Sequence, residues 1–146
     1  MNISIIDEQK ALSLSHDTMR EAVLCVFESE KISCDEVEIH LVDQEKICIL
    51  HKEFFQDPSP TDCISFPIDD PSESRFCFLG MVFICTDIAI EYAKEHDHDP
   101  EEEALLYLIH GLLHLIGYND LTEEEQSIMR KKEKSCMDLL KATTAK

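Results

Sequence analysis

The chain has 146 residues, 13 of them Lys or Arg and 31 Asp or Glu, for a formal net charge of −18. That balance argues against a nonspecific electrostatic grip on nucleic acid, which needs clustered cations, and no apolar run reaches membrane length. A hydrophobic share of 44% with 30% charged residues suits one globular domain over residues 1–146, large enough for a core without disulfide support.

In chain order, residues 1–6 predict a short strand. A helix follows from residue 17 to about 29, with Met19, Ala22, Val23 and Val26 on one side. The alternation Val37-Glu38-Ile39-His40-Leu41-Val42 predicts a half-buried strand. Residues 44–55 predict a helix, since Ile47, Leu50, His51 and Phe54 recur at helical spacing, and Pro58 and Pro60 end it. Residues 63–66 and 80–85 predict two strands separated by a polar loop over 69–75, with a helix over 87–95 after them. Asp99 and Pro100 form a good helix start, with Glu102 placed to complete a capping box. Thr122 and Glu125 repeat that pattern for a last helix running to about Lys141. The expected fold is α+β: a single mixed sheet of about four strands with four to five helices, and a metal site on a buried helix, as in metalloproteases.

Seven cysteines are present, at 25, 34, 48, 63, 77, 85 and 136, without a CxxC pair. They read as reduced core thiols rather than a disulfide framework or a cysteine zinc site. Together with an N-terminus that lacks a basic targeting region, they lead to an expected cytoplasmic location.

The chemistry concentrates in His110-Gly111-Leu112-Leu113-His114-Leu115-Ile116-Gly117-Tyr118-Asn119-Asp120. Histidines four apart on a helix lie on one side of it, about 40° apart around its axis. Gly117 can take positive φ and end the helix, so that the chain folds back and sets Asp120 beside both rings. Two nitrogens and a carboxylate oxygen make three ligands of a tetrahedral zinc site whose fourth position is left to water. Between residues 104 and 116 only His110, Gly111 and His114 are neither apolar nor aromatic, which marks a buried helix. A buried imidazole without a partner costs about 1–3 kcal/mol, and one metal satisfies both rings. Core histidines bonded to backbone carbonyls are the plainer alternative; the added Gly117 and Asp120 favour the metal.

His-Gly-x-x-His-Leu-x-Gly-Tyr with a ligand at position 120 resembles the signature of the YbeY family of bacterial rRNA-maturation endoribonucleases. Pro60-Thr61-Asp62-Cys63-Ile64-Ser65-Phe66-Pro67 is similar to that family's second motif, and Leu79-Gly80 opens its third. The resemblance spans almost the whole chain. It implies a metal-dependent hydrolase, with one zinc ion per chain on His110, His114 and Asp120, cutting single-stranded RNA in rRNA 3′-end processing and ribosome quality control. The implied partners are single-stranded rRNA and the small ribosomal subunit or an associated protein; neither a membrane nor DNA is expected. The chain departs from the family pattern in four places. Asp120 stands where a histidine is usual, Phe55 where an arginine is usual, His51 where an asparagine is usual, and Met81 where an acidic residue is common. The arginine matters most, because a guanidinium can hold a scissile phosphate; Lys52 or Arg75 are its possible replacements.

On this reading a metal-bound water is the attacking group, its pKa lowered from about 15.7 toward about 7, or a substrate 2′-hydroxyl attacks instead. No side chain is assigned as the catalytic acid or base; Thr61, Asp62 and Ser65 are candidates to line the groove, Ser65 being equally explicable as a strand residue. Tyr118 reads as a packing residue. A zinc peptidase is a rival reading, but its glutamate base directly follows the first histidine, and here that residue is Gly111. A ribosome-assembly binding factor with a structural metal is the other rival, favoured by the charge of −18 and by Phe55. Arg130, Lys131, Lys132 and Lys134 read as cations complementing a helix dipole. His96 and His98 read as a solvated turn, and Glu101, Glu102 and Glu103 as helix-start charges.

Overall fold

A computed structural model describes residues 1–73 and 75–144. Four strands and five helices follow one another in the order β1 (Asn2–Asp7), α1 (His16–Glu30), β2 (Glu36–Val42), α2 (Gln44–Phe55), β3 (Cys63–Pro67), β4 (Phe78–Cys85), α3 (Thr86–His96), α4 (Pro100–Leu115) and α5 (Glu123–Thr144). The strands form one mixed sheet in the order β1-β2-β4-β3. β1 and β4 each run parallel to β2, and β3 is antiparallel to β4. The fold is therefore α+β, and every expected element is present. Residue 74, in the expected polar loop, lies outside the described residues.

The alternation in β2 explains the layering. Val37, Ile39 and Leu41 face a core shared with Met19, Val23 and Val26 of α1, Leu108 and Leu112 of α4, and Met129 and Cys136 of α5. Side chains on a strand alternate faces, so Glu38 and His40 project from the opposite side, where His40 stacks on Phe83 at 4.3 Å. That second face carries a smaller apolar layer, in which Ile47 and Leu50 of α2 meet Val42, Ile64, Phe83 and Cys85. α4 lies along the sheet with ten residues buried, among them Leu105, Leu108, Ile109, Leu112 and Leu113 of the first layer. Among the described residues no helix is long and apolar enough to cross a membrane. All seven cysteines are free thiols.

The caps carry both agreements and differences. Thr122 and Glu125 make the reciprocal capping box of α5, with bonds of 3.0 and 3.1 Å. α1 starts one residue earlier than expected, because Ser15 caps it by accepting from Thr18 N–H at 3.2 Å. Asp99 caps α4 through Glu101 N–H, but Glu102 does not complete the box and instead reaches Lys141 at 3.5 Å. Glu103 is no surface charge either. It is 8% exposed and stands 3.4 Å from His98, while Tyr92 stacks on His96 at 3.9 Å. The histidine turn is thus packed on an aromatic side chain, which makes His96 less free than a solvated residue.

Candidate metal centre

α4 ends where the site begins. Its last turn closes with Gly117 N–H donating to His114 C=O and Tyr118 N–H donating to Leu113 C=O, both at 3.1 Å. Gly117 takes φ +111°, with open space where a Cβ would stand. Its glycine is therefore needed for backbone conformation, not for clearance. The turn sends residues 118–120 back along α4, and Gln126 at the start of α5 donates to the Asp120 carbonyl at 3.0 Å, tying down the returning chain.

The three expected ligand atoms meet. His110 Nε2 and His114 Nε2 are 3.0 Å apart, and Asp120 Oδ2 lies 3.4 Å from the first and 3.5 Å from the second. Among the described residues this trio is the one His/Cys/Asp/Glu group compact enough to hold a metal ion. The other ring nitrogens decide the protonation. His110 Nδ1 is 2.7 Å from a Glu133 carboxylate oxygen, and His114 Nδ1 is 2.9 Å from the Tyr118 carbonyl. Both partners accept only, so each Nδ1 carries the hydrogen and each Nε2 presents a lone pair. Two lone pairs facing each other and a carboxylate repel unless a proton or a metal ion lies among them. The donor set fits zinc: ligands held tetrahedrally at about 2.0–2.1 Å stand about 3.3 Å apart, close to the three separations. The plainer alternative, two rings each tied to a backbone carbonyl, does not hold for His110.

Glu133 is the functional residue that sequence reasoning missed. It is 5% exposed on α5, and Arg130 Nη1 donates to both of its oxygens at 3.2 and 3.3 Å. A carboxylate on the far nitrogen fixes ring orientation and raises ligand basicity. A signal did exist: Met129, Glu133, Cys136 and Leu140 are the buried positions of α5, so Glu133 interrupts an apolar stripe. In the ion-free protein, burial disfavours the charged His110 ring. The hydrogen bond and charge of Glu133, with the charges of Asp62 and Asp120, outweigh that and lift its pKa above the ordinary 6.5.

The basic cluster has specific partners beyond a helix dipole. Besides Arg130 with Glu133, Lys132 pairs with Glu30 at 3.0 Å and Lys134 with Asp138 at 3.0 Å. The Tyr118 hydroxyl also donates to Glu30, with Lys132 Nζ 5.6 Å from its ring centroid. Tyr118 therefore packs and tethers the turn after α4 to α1, and its hydroxyl is bonded away from the ligands.

Two grooves flank the trio. One is lined by Thr61, Asp62, Tyr107, His110, Asp120 and Arg130, among others. The other holds His51, Phe55, Thr61, Ser65, His114 and Asn119. Thr61 borders both. Asp62 Oδ1 accepts from Cys63 N–H at 2.7 Å, which sets its carboxylate direction. Ser65 has a structural task as well, since its hydroxyl donates to the Gly111 carbonyl at 2.9 Å and pins α4 to β3. Neither cation offered as a replacement for arginine lines a groove: Lys52 is exposed, and Arg75 pairs with Glu73 at 2.7 Å and Asp69 at 3.4 Å.

Residues 3–141 match the family model described as Endoribonuclease YbeY. A protein of that name from Protochlamydia amoebophila (strain UWE25) is 47% identical over 139 residues, covering 95% of this chain and 93% of its own length. The Endoribonuclease YbeY of Chlamydia felis (strain Fe/C-56) is 35% identical, covering 97% of this chain and 92% of its own. The solution structure of TM1509 from Thermotoga maritima superposes with a TM-score of 0.68 at 25% identity, covering 99% of this chain and 92% of that one.

Proposed function

Because the chain belongs to the YbeY endoribonuclease family, we propose that it is a single-strand-specific, zinc-dependent endoribonuclease. In this reading it acts in rRNA 3′-end maturation and ribosome quality control. One ion per chain is held by His110, His114 and Asp120, and the protein works in the cytoplasm on rRNA of the small ribosomal subunit. The observation that carries the proposal is the convergence of two Nε2 lone pairs on a carboxylate at the junction of two grooves.

A zinc ion there supplies a Lewis acid for a phosphoryl oxygen and a lowered pKa for a water. The protein's own groups do the rest. Glu133 and the Tyr118 carbonyl hold both rings in the tautomer that leaves Nε2 free. We assign to Asp62, which lines the groove with His110, the taking of a proton from the attacking hydroxyl, whether of water or of the substrate ribose. Thr61 contacts the strand where it crosses between the grooves. Arg130 shares the groove with His110 and Asp120, and its guanidinium is paired with Glu133 at 3.2 Å.

A second reading has one observation behind it. Among the described residues the groove beside His114 is lined by no Lys or Arg, so no cation there holds a scissile phosphate, as suits an assembly factor that keeps its metal for structure. The peptidase reading fails on position 111, which faces the sheet: a Cβ there would stand 2.5 Å from Val82 Cγ1.

Incubation of zinc-loaded protein with a single-stranded RNA, the matching duplex and casein separates the readings. We expect cleavage of the single strand alone, abolished by chelation and restored by zinc. RNA binding without cleavage would select the assembly factor, and casein hydrolysis the peptidase.

A further inference from the structure

At the end of α2 the chain exposes two neighbouring phenylalanines, Phe54 at 53% and Phe55 at 52%. Isolated exposed apolar residues are ordinary, but a contiguous exposed patch marks a binding surface. These rings are contiguous. Phe66 lies 5.0 Å from Phe54 and 6.4 Å from Phe55, nearly parallel to the latter at 30°, and Phe66 rests on Phe83 of the smaller core at 5.6 Å. His51 tilts against Phe55 at 5.7 Å, held by its Nδ1 hydrogen bond to the Ser59 carbonyl at 2.8 Å. The row of rings is thus rooted in the core and ends at the surface. Phe55 and His51 line the groove that contains His114, so the exposed ring opens onto the metal centre, whereas a chance surface phenylalanine would face bulk water.

Charge identifies the occupant. Among the described residues that groove is lined by no Lys or Arg, and the chain carries −18, so a polyanion gains little there from its phosphates. A nucleobase is the part of RNA that an aromatic wall holds without cations, because every base has a π-face. Only an unpaired base can be turned out of its own stack to present that face.

We propose that Phe55, backed by Phe66 and flanked by His51, is a stacking platform for one unpaired base next to the cleaved phosphodiester, and that this contact gives the enzyme its preference for single strands. The proposal rests on the endoribonuclease reading above. Phe55 binds substrate and takes no part in bond making or proton transfer.

The test is steady-state cleavage of a short single-stranded RNA by the zinc-loaded full chain. A set of oligonucleotides carrying one abasic site at each position in turn is cleaved in parallel. Phe55→Ala and Phe55→Leu are expected to raise KM about 5- to 100-fold with kcat within about threefold, and Phe55→Trp to keep a KM near wild type. One abasic position beside the cut should cost the wild type the same factor and cost Phe55→Ala nothing further, since base and ring act as a pair. An unchanged KM in Phe55→Ala, a fall in kcat alone, or equal abasic losses in both proteins would overturn the platform while leaving the nuclease standing. Wild-type protein that cuts no RNA would remove both.

Discussion

Alanine at His110, at His114 or at Asp120 is expected to reduce zinc content from about one ion per chain to near zero, measured by mass spectrometry of metal after gel filtration. Each substitution removes one of the three converging donors, and two remaining ligands cannot hold the ion against dilution. Glu133→Gln should behave differently. The amide oxygen still accepts from His110 Nδ1, so the ring keeps its orientation, but the charge that makes the ring a stronger donor is gone. Affinity should fall about 10- to 100-fold while the ion remains detectable at high zinc. Glu133→Leu should approach the ligand variants, since it leaves both the His110 N–H and Arg130 without their acceptor. Zinc at about 1,000 times its Kd stabilises the folded state by about 4 kcal/mol, or about 10 °C in Tm for a chain of this size. That shift should appear in wild type and vanish in the three ligand variants. Protons compete for the same nitrogens, and because the ion-free His110 ring is more easily charged than a free imidazole, apparent zinc affinity should fall as pH drops, starting at a higher pH than for an ordinary imidazole ligand. Ligand variants that keep a full ion would sink the proposed centre.

The parts of this site that could be read from the sequence are local in the chain. His110 and His114 sit one turn apart, Gly117 must bend, and Asp120 follows within three residues, so periodicity and one glycine nearly determine the trio. The Thr122–Glu125 cap is equally local, and it formed as expected. Glu133 could not be read this way. It lies 23 positions from His110 on another helix, and a glutamate in a helix is solvent-facing unless its partner is known. The same holds for Glu103, which follows two other glutamates in the first turn of α4 yet is buried beside His98. Ser65 had two equal explanations until α4 was seen to cross β3, where its hydroxyl meets the Gly111 carbonyl. Strand composition predicted a sheet but not its order, because β1-β2-β4-β3 depends on which helix covers which face. Phe55 was legible only as a departure from a family pattern. Its meaning as an exposed ring over the groove came from the packing of Phe66 beneath it.

Gly111 is where fold and chemistry constrain each other most tightly, and substituting it should be costly. In an exposed helix interior Gly→Ala gains about 1 kcal/mol. Here the new methyl would meet Val82 Cγ1 at 2.5 Å and Ser65 Oγ at 3.2 Å, and valine cannot rotate away cheaply because branching at Cβ fixes its χ1. Overpacking of this kind costs about 1–3 kcal/mol, so Gly111→Ala should lose the helical gain and be net destabilising by up to about 2 kcal/mol in denaturant unfolding. Gly111→Glu would write the peptidase motif into the chain, yet it drives a carboxylate into the sheet and should cost more than about 3 kcal/mol without any casein hydrolysis. Val82→Ala removes the clashing atom, so the double variant Val82→Ala/Gly111→Ala should be more stable than the two single losses add up to, with a coupling of about 1 kcal/mol. A Gly111→Ala protein about 1 kcal/mol more stable than wild type, or strict additivity in that cycle, would mean that α4 does not press on β4 at this point. A folded Gly111→Glu protein that cleaves casein would mean that position 111 can reach the metal after all.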